Sequence, residues 1–410
     1  MARRIGSVAE ERGEYMNENI VLFYDNQLPE GSANATRVVS LSKVIKMLGN
    51  NVMMLGLNYQ QNRELQGIYE GIPYALLDLP ELRMTGMAAF RRQGATRGRL
   101  AHWLDEYWEK NKIDGIIVSC MNGFADFFFR YGKRKQIPIA FNHVEWHLRS
   151  AFPGKFGIIN YYRNKIDFYY TFAKTKNIIA ISTFLEHFYQ KRGCNTVRIP
   201  TIVDVHKYKC KNTFGTENRL VLAYAGCPGK KDAILNVISA MTELTAEEQQ
   251  QIEFRLFGIT AEQLLINYNL GEKEESLVGL QVRCMGVIPH AYVNEELIKA
   301  DFTVLLRQDS NNANAGFPTK VGESMAAGVP VIANLTSDLA QYIHEGKEGM
   351  ICRDESPKAC AETLRRALKL SMKERREMST AARKQAEKSF DYGSYGEDMQ
   401  HFLEKAKYIK

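Results

Sequence analysis

Apolar residues along this chain alternate between two spacings. Short unbroken apolar runs, the mark of strands buried on both faces, are followed by stretches in which apolar residues recur every third or fourth position, as on a helix. The first cycle, NIVLFYDNQLPEGSANATRVVSLSKVIKMLGNNVMMLGL, predicts a strand at Ile20–Tyr24, a loop holding Gly31, a helix at Ala35–Leu48 and a strand at Val52–Leu57. Further strands are predicted at Gly115–Ser119, at Ile137–Phe141 and in NIIAIS, ending at Ser182. Between them FGIINYYRNKIDFYYTFAK reads as one long aromatic helix, and TFLEHFYQKRG as another. VRIPTIVD then closes a first domain near Asp204.

A fresh alternation begins at Arg219, with strands at Leu220–Ala225 and Phe254–Gly258 and a strand-then-glycine edge in VRCMGVIPH. The stretch Asp301–Ile332 completes it: a strand at Phe302–Leu306, a polar loop, a helix opening near Pro318, a stop at Gly328 and a strand from Val329. The expected organisation is a polar extension at 1–18, an α/β domain at 19–204, a linker at 205–218, a second α/β domain at 219–385 and a helical segment at 386–410 returning to the first domain. Two doubly wound halves account for the pattern.

Candidate chemistry collects in the loops. Asn314, Ala315 and Gly316 let the backbone approach a ligand where the first amides of the next helix point outward. One turn further on, Glu323 is placed to accept hydrogen bonds from two vicinal hydroxyls of a ribose. Pro318 and Gly328 as plain punctuation, with Glu323 in solvent, fit the same letters. In GCPGKKD, Gly226 and Gly229 keep the loop compact, and Lys230 or Lys231 adds charge at a helix entrance, a cradle for a diphosphate or a lysine-capped turn in solvent.

In the first half, Gly31, Ser32 and Ala33 suggest a loop open to a second ligand, while a lone Gly31 falls short of the GxGxxG of a dinucleotide site. His143, Glu145 and His147 lie at a predicted strand's carboxyl end, where open α/β sheets place ligands; a polar rim fits better than a metal site, since a fourth ligand and a helical HExxH are missing. Arg83, Arg91, Arg92, Arg97 and Arg99, interleaved with Leu82, Met84, Met87 and Phe90, form a cationic amphipathic stretch suited to anionic headgroups, or a solvated helix with an ordinary buried face.

Composition narrows the class. The 410 residues are too many for one ordinary core, and 45% of them are hydrophobic, as in a globular enzyme. Seven cysteines without a CxxC pair suggest reduced thiols. The start lacks the apolar core of a signal peptide and no long apolar run follows, so the cytosol is expected. The net charge of +7 is uneven: residues 1–200 hold 27 Lys and Arg against 18 Asp and Glu, residues 201–410 hold 27 against 29. A basic first half draws phosphorylated or lipid partners, or simply aids solubility.

Several ordered motifs resemble the GT-B glycosyltransferases, in particular the retaining enzymes of glycosyltransferase family 4 of the bacterial surface-polysaccharide type. They are the Gly31 loop, FNHVEWH, IAIS, RIPTIVD, AGCPGKKD, MGVIPH and NAGFPTKVGESMAAGVPVI. The resemblance implies two Rossmann-like doubly wound domains facing a central cleft, an acceptor in the N-terminal half and a nucleotide-sugar, with uridine as the default base, in the C-terminal half. It implies Glu323 on the ribose, Lys231 on the diphosphate and the backbone of Gly316, Phe317, Pro318 and Thr319 facing phosphate and sugar. His143 would lie by the reacting face of the sugar, and Val287 to Pro289 beside the base.

Two positions depart from the family's pattern. Ala315 stands where a glutamate eight positions before Glu323 usually touches the sugar, leaving Asn314 or backbone amides to replace it. Cys227 stands where a cation often follows the loop glycine, leaving Lys230, Arg307 or Lys320 to supply the charge. No DxD motif is found, which agrees with a metal-independent site needing no cofactor. The expected partners are a nucleotide-sugar, a saccharide or polyprenyl-diphosphate-linked acceptor and an anionic membrane surface at Arg83–Arg99, with the protein peripheral at the cytoplasmic face; nucleic acid is not expected. The competing class is a GT-B scaffold that binds a nucleotide-sugar or a partner enzyme without catalysis.

Overall fold

A computed structural model describes residues 17–59, 64–79, 86–120, 123–154, 157–212, 214, 219–226, 228–229, 231–268 and 279–407. The chain divides into two compact units. The first runs to Ile202 and is rejoined by Tyr392 onward; the second is Val203–Asp391.

The first unit holds an 8-stranded sheet, ordered β3-β4-β2-β1-β5-β6-β7-β8. Its strands are β1 (Asn19–Tyr24), β2 (Asn51–Asn58), β3 (Gln66–Tyr69), β4 (Ile72–Asp78), β5 (Gly115–Ser119), β6 (Ile139–His143), β7 (Asn177–Ala180) and β8 (Asn195–Arg198). All adjacent pairs are parallel except β3 with β4. Connecting helices are α1 (Ala33–Met47), α2 (Gly86–Asn111), α3 (Ala125–Lys135), α4 (Gly157–Ile166), α5 (Phe172–Thr175) and α6 (Thr183–Gln190). The strand order reverses between β1 and β5, the topological switch point of a doubly wound sheet.

Local sequence explains the elements. In β1, Ile20 to Phe23 are apolar and buried, as a strand covered on both faces requires. Ser32 caps α1 by accepting the amide of Ala35 at 3.1 Å, and Val38, Leu41 and Ile45 face the core. Strand β6 starts two residues later than the apolar run predicts because Pro138 has no N–H for the ladder; Pro330 delays β13 (Val331–Asn334) in the same way. The β3–β4 hairpin went unpredicted. Its turn residues Glu70 and Gly71 both have positive φ, 49° and 76°, but they lack the Asn-Gly or Asp-Gly signature of such turns.

The second unit holds a 6-stranded parallel sheet, ordered β11-β10-β9-β12-β13-β14. It is built from β9 (Leu220–Ala225), β10 (Ile252–Phe257), β11 (Val282–Gly286), β12 (Phe302–Leu305), β13 and β14 (Gly349–Cys352). Its helices are α7 (Ile234–Thr242), α8 (Ala246–Gln250), α9 (Ala261–Tyr268), α10 (His290–Leu297), α11 (Asn311–Ala315), α12 (Thr319–Ala326), α13 (Pro357–Leu368) and α14 (Met372–Ser389). The order reverses between β9 and β12. Because every strand is parallel, the loops after β9, β11, β12 and β13 all open on the same carboxyl edge.

Part of the stretch read as a linker packs into this unit. Buried Lys211 donates to the carbonyls of Ala300 (2.8 Å) and Ile298 (3.2 Å) and lies 3.7 Å from Asp301. Gly328, with φ +68°, ends α12, and a Cβ there would come within 2.7 Å of the Cys210 sulfur. The last helix, α15 (Gly396–Lys405), belongs to the first unit, where Met399, Phe402 and Leu403 join the core formed by α1 and the sheet.

Candidate functional site

At the switch point of the second unit, two loops meet on one buried carboxylate. Asp232, in the loop after β9, accepts the Tyr224 hydroxyl at 2.6 Å, the Arg307 Nε at 2.7 Å and the Lys320 Nζ at 3.1 Å. Its side chain is 5% exposed, those of Arg307 and Lys320 11% and 24%. Burial alone would raise the Asp232 pKa, but the charges of Lys320 and Arg307 and the Tyr224 hydrogen bond outweigh it and hold the carboxyl below its ordinary value. Asp232 and Arg307 also form an isolated antiparallel bridge, and the Ala233 amide donates to the Leu306 carbonyl at 2.8 Å. The two loops are thereby fixed to one another.

Lys320 reaches this cluster across Gly226. The glycine has φ +131°, and a Cβ on it would lie 2.7 Å from the Lys320 Cε. Only glycine suits both that backbone and that neighbour. The ammonium also lies 5.0 Å from the Tyr224 ring centroid. One turn along α12, Glu323 shares with Lys320 the lining of a small cavity of about 10 Å³, with Tyr224 and Ala225 at the end of β9 and Thr303 within β12. Such a volume suits roughly one water, so a larger ligand would sit above it on the carboxyl edge. Glu323 is also near Tyr208, whose phenol is pushed upward first by burial and then by the charges of Glu323 and Asp204.

Helix α12 begins at Thr319 with no side-chain cap, so its first turn presents backbone amides and the positive end of the helix dipole. Pro318 has no N–H and supplies no amide. The Phe317 side chain is turned inward against Tyr342 and Phe390, at 5.5 and 5.7 Å between centroids, which leaves only its backbone for a ligand. Gly316 is pinned by the Ser337 hydroxyl, which donates to its carbonyl at 2.5 Å. Asn314 is a brace: its amide donates to Asp309 at 2.7 Å and its oxygen accepts the Ser337 N–H at 2.7 Å. Ala315 is fully buried. Each side of the Asn314 amide thus makes one bond within the loop, and Ala315 itself offers no polar side chain.

Lys231 precedes Asp232 and is half-buried at the same loop; Lys230 and Cys227 lie outside the described residues. Val287, 80% exposed, follows β11, and Pro289 caps α10, on the same carboxyl edge as Gly226 and Arg307. Sequence reasoning missed Asp232 and Tyr224. An acid directly after two lysines in a switch-point loop was the available signal.

In the first unit, Gly31 has φ +115° and open space around its would-be Cβ, whereas the Ser32 hydroxyl is occupied by the cap of α1 and lies 3.1 Å from the Tyr24 hydroxyl. His143 ends β6, buried, with Nε2 3.0 Å from the Glu145 carbonyl and Nδ1 2.9 Å from the Tyr189 hydroxyl. A carbonyl only accepts, so Nε2 carries the proton, and the bare Nδ1 faces the Tyr189 hydroxyl, whose single proton is shared between Nδ1 and the Phe168 carbonyl at 3.1 Å. Burial, and secondarily the nearby His147, lowers the His143 pKa to about 3. The ring is therefore a neutral, doubly bonded imidazole and not a free acid or base near neutrality.

The Glu145 and His147 side chains are 4.0 Å apart, and Trp146 between them packs on Phe168 at 4.4 Å. Among the described residues no three His, Cys, Asp or Glu side chains are grouped to hold a metal ion. On α2, Arg99 donates to the Asp78 carbonyl at 2.6 Å, Arg97 to that of Gly123, and Arg92 lies over Tyr59. These three guanidinium groups brace the fold. Arg83 and the side chains of Met84, Met87 and Phe90 lie outside the described residues.

Residues 207–385 match the sequence profile of the family described as Glycosyl transferases group 1, almost the full extent of the second unit. No curated protein matches the chain by sequence. Among solved structures, a sucrose-phosphate synthase from Thermosynechococcus elongatus is similar with a TM-score of 0.71 at 15% identity, over 95% of this chain and 99% of that one. HepE of Anabaena, in complex with UDP and glucose, is similar with a TM-score of 0.67 at 12% identity, over 95% and 100%. WaaG, a glycosyltransferase involved in lipopolysaccharide biosynthesis, follows at 0.62 and 14%, over 94% and 98%. At these identities the likeness is one of fold: two parallel-sheet, Rossmann-like units of the GT-B architecture.

Proposed function

We propose that this chain transfers a sugar from a nucleotide-sugar, with UDP as the nucleotide, to a saccharide or lipid-linked saccharide, with retention of anomeric configuration and without a metal ion. One observation carries the reading: at the switch point of the family-matched unit, Arg307, Lys320 and the uncapped start of α12 converge on one edge, with Glu323 a turn away. That edge suits a diphosphate held by cations and amides, and a ribose held by a carboxylate. The HepE structures, which contain UDP, UDP-glucose, or UDP and glucose, support uridine as the base.

In this reading the bond from the anomeric carbon to the phosphate oxygen breaks and the diphosphate leaves with the electron pair. Lys231, Lys320, Arg307 and the α12 amides stabilise the charge that builds on it. The acceptor oxygen bonds to the same face of the sugar and its proton passes to the departing phosphate oxygen. No enzyme nucleophile is used, and His143, neutral and doubly bonded, takes no proton.

A second reading, a GT-B protein that binds a nucleotide-sugar without catalysis, is favoured by the buried Ala315 and the committed Asn314 amide, which leave no sugar-gripping carboxylate there. Calorimetry with UDP and turnover of radiolabelled UDP-sugars, with the anomeric configuration of the product read by NMR, separate the two. Transfer should fall roughly tenfold or more in Lys320→Ala and in Lys231→Ala, the loss expected when about 1.4 kcal/mol of transition-state stabilisation is removed. Tight UDP binding with no turnover of any donor would establish the binding protein instead. Absence of nucleotide binding would remove both.

A further inference from the structure

Helix α4, continued through a π-helical turn at Asp167–Thr171 into α5, carries an apolar stripe on its outer face. Ile158, Tyr162, Ile166 and Tyr170 follow one another every fourth residue and are 47%, 60%, 55% and 64% exposed, with Ile159 beside them at 44%. The inner face is complete without them: Phe172 stacks on Phe141 at 4.2 Å and Phe168 meets the edge of His143 at 4.4 Å. This helix thus has two apolar faces, one buried in its own unit and one not. Contiguous large apolar side chains at this exposure mark a contact surface, unlike single exposed residues.

Charge selects the occupant. From Leu148 to Lys176 the chain holds six Lys and Arg and a single acid, Asp167, which is buried. Lys174 is exposed and continues the every-fourth series beyond Tyr170. A second copy of the chain, docked about a two-fold axis, would bring this cation-rich segment against itself. An anionic bilayer presents the complementary pair: negative headgroups for the cations and an acyl boundary for Ile and Tyr side chains, the latter suited to an interface by their polar tips.

We propose that the outer face of α4 and α5 docks on an anionic lipid surface, with Ile158, Tyr162, Ile166 and Tyr170 entering the acyl boundary. This assigns the contact to a different helix from the arginine-rich α2, where Arg97 and Arg99 donate to the Gly123 and Asp78 carbonyls and Arg92 lies over Tyr59. It is independent of the donor-site reading, since no residue of the second unit takes part.

Flotation of the full chain with vesicles of phosphatidylcholine alone, or of equimolar phosphatidylcholine and phosphatidylglycerol, tests it without reference to activity. Binding to the anionic vesicles is expected to be about tenfold stronger or more, and to weaken as salt is raised. Replacing Tyr162 and Ile166 together by Ser should reduce it about tenfold or more, and Lys174→Ala about fivefold. The melting temperature of each variant should stay unchanged, because the side chains are exposed. Arg91→Glu, on the exposed part of α2, should leave binding intact. The proposal is overturned if the wild-type chain ignores both vesicles, if Arg91→Glu abolishes binding while the serine variant retains it, or if the serine variant instead converts a lipid-indifferent dimer into a monomer.

Discussion

Asp232→Asn isolates the electrostatic centre of the second unit. The wild-type carboxylate accepts from Arg307, Lys320 and Tyr224 at 2.7, 3.1 and 2.6 Å while itself 5% exposed. The amide removes the charge and turns one acceptor into a donor facing a cation, so Arg307 or Lys320 loses its partner in a largely buried place. Breaking one side of a buried ion pair costs about 3–5 kcal/mol; with one acceptor oxygen retained, about 3 kcal/mol is expected. Hydrogen exchange in the intact chain reads this locally, because the amides of β9 and β12 open with their own unit. Their protection should drop by roughly two orders of magnitude, at about 1.4 kcal/mol per decade.

The pH dependence carries a sign. Asp232 has a folded pKa below the ordinary 3.8, so its contribution is fully present above 3.8 and is lost as pH falls through the lower folded value. The gap between wild type and variant should be constant through neutral and weakly acidic pH and close below 3.8. UDP should restore more protection to the variant than to wild type, because its phosphates offer the two cations a replacement partner. Protection changed by less than about threefold at pH 7, or a gap that persists unchanged below the folded pKa, would refute the claim that this carboxylate organises the cluster.

Other outcomes follow from the same geometry. Gly226→Ala should weaken UDP binding about tenfold by calorimetry, since it strains a φ of +131° and displaces Lys320, whereas Gly229→Ala, with nothing within 4 Å of its Cβ, should bind like wild type. Glu323→Ala should lower affinity for UDP about tenfold yet leave 2′,3′-dideoxy-UDP unaffected; equal losses for both would detach Glu323 from the ribose. Because the His143 pKa is lowered from 6.5 to about 3, the unfolded state takes up a proton that the native ring refuses, so first-unit stability should decline as pH falls below 6.5. His143→Leu should flatten that slope in urea titrations followed by β6 hydrogen exchange, and a wild-type stability that rose on acidification would contradict the buried neutral ring.

Much of the architecture was readable from the letters because strands buried on both faces are continuous apolar runs, and Gly and Pro mark their ends locally. β1, β5, β9 and β12, the strands that flank the two switch points, were located this way. The weak, short hairpin β3–β4 was not, since its stability comes from pairing at a sheet edge rather than from its own pattern. The aromatic segment Gly157–Thr175 was recognised as helical, but its composition alone did not separate the face packed on Phe141 and His143 from the face left outside.

The loops separate the two kinds of information most sharply. Residue types and order in GCPGKKD and NAGFPTKVGE raised the expectation of a diphosphate and a ribose, because a compact glycine loop and a helix entrance are local properties. Which cations serve which anion was not, since Asp232 meets Arg307 and Lys320 across 75 and 88 positions of sequence. An aspartate or histidine in a loop has the same letter in solvent or in the core. Only tertiary packing turned Asp232 into a buried counter-ion and His143 into a neutral imidazole, because desolvation and distance, which set those states, exist only once the chain has closed on itself.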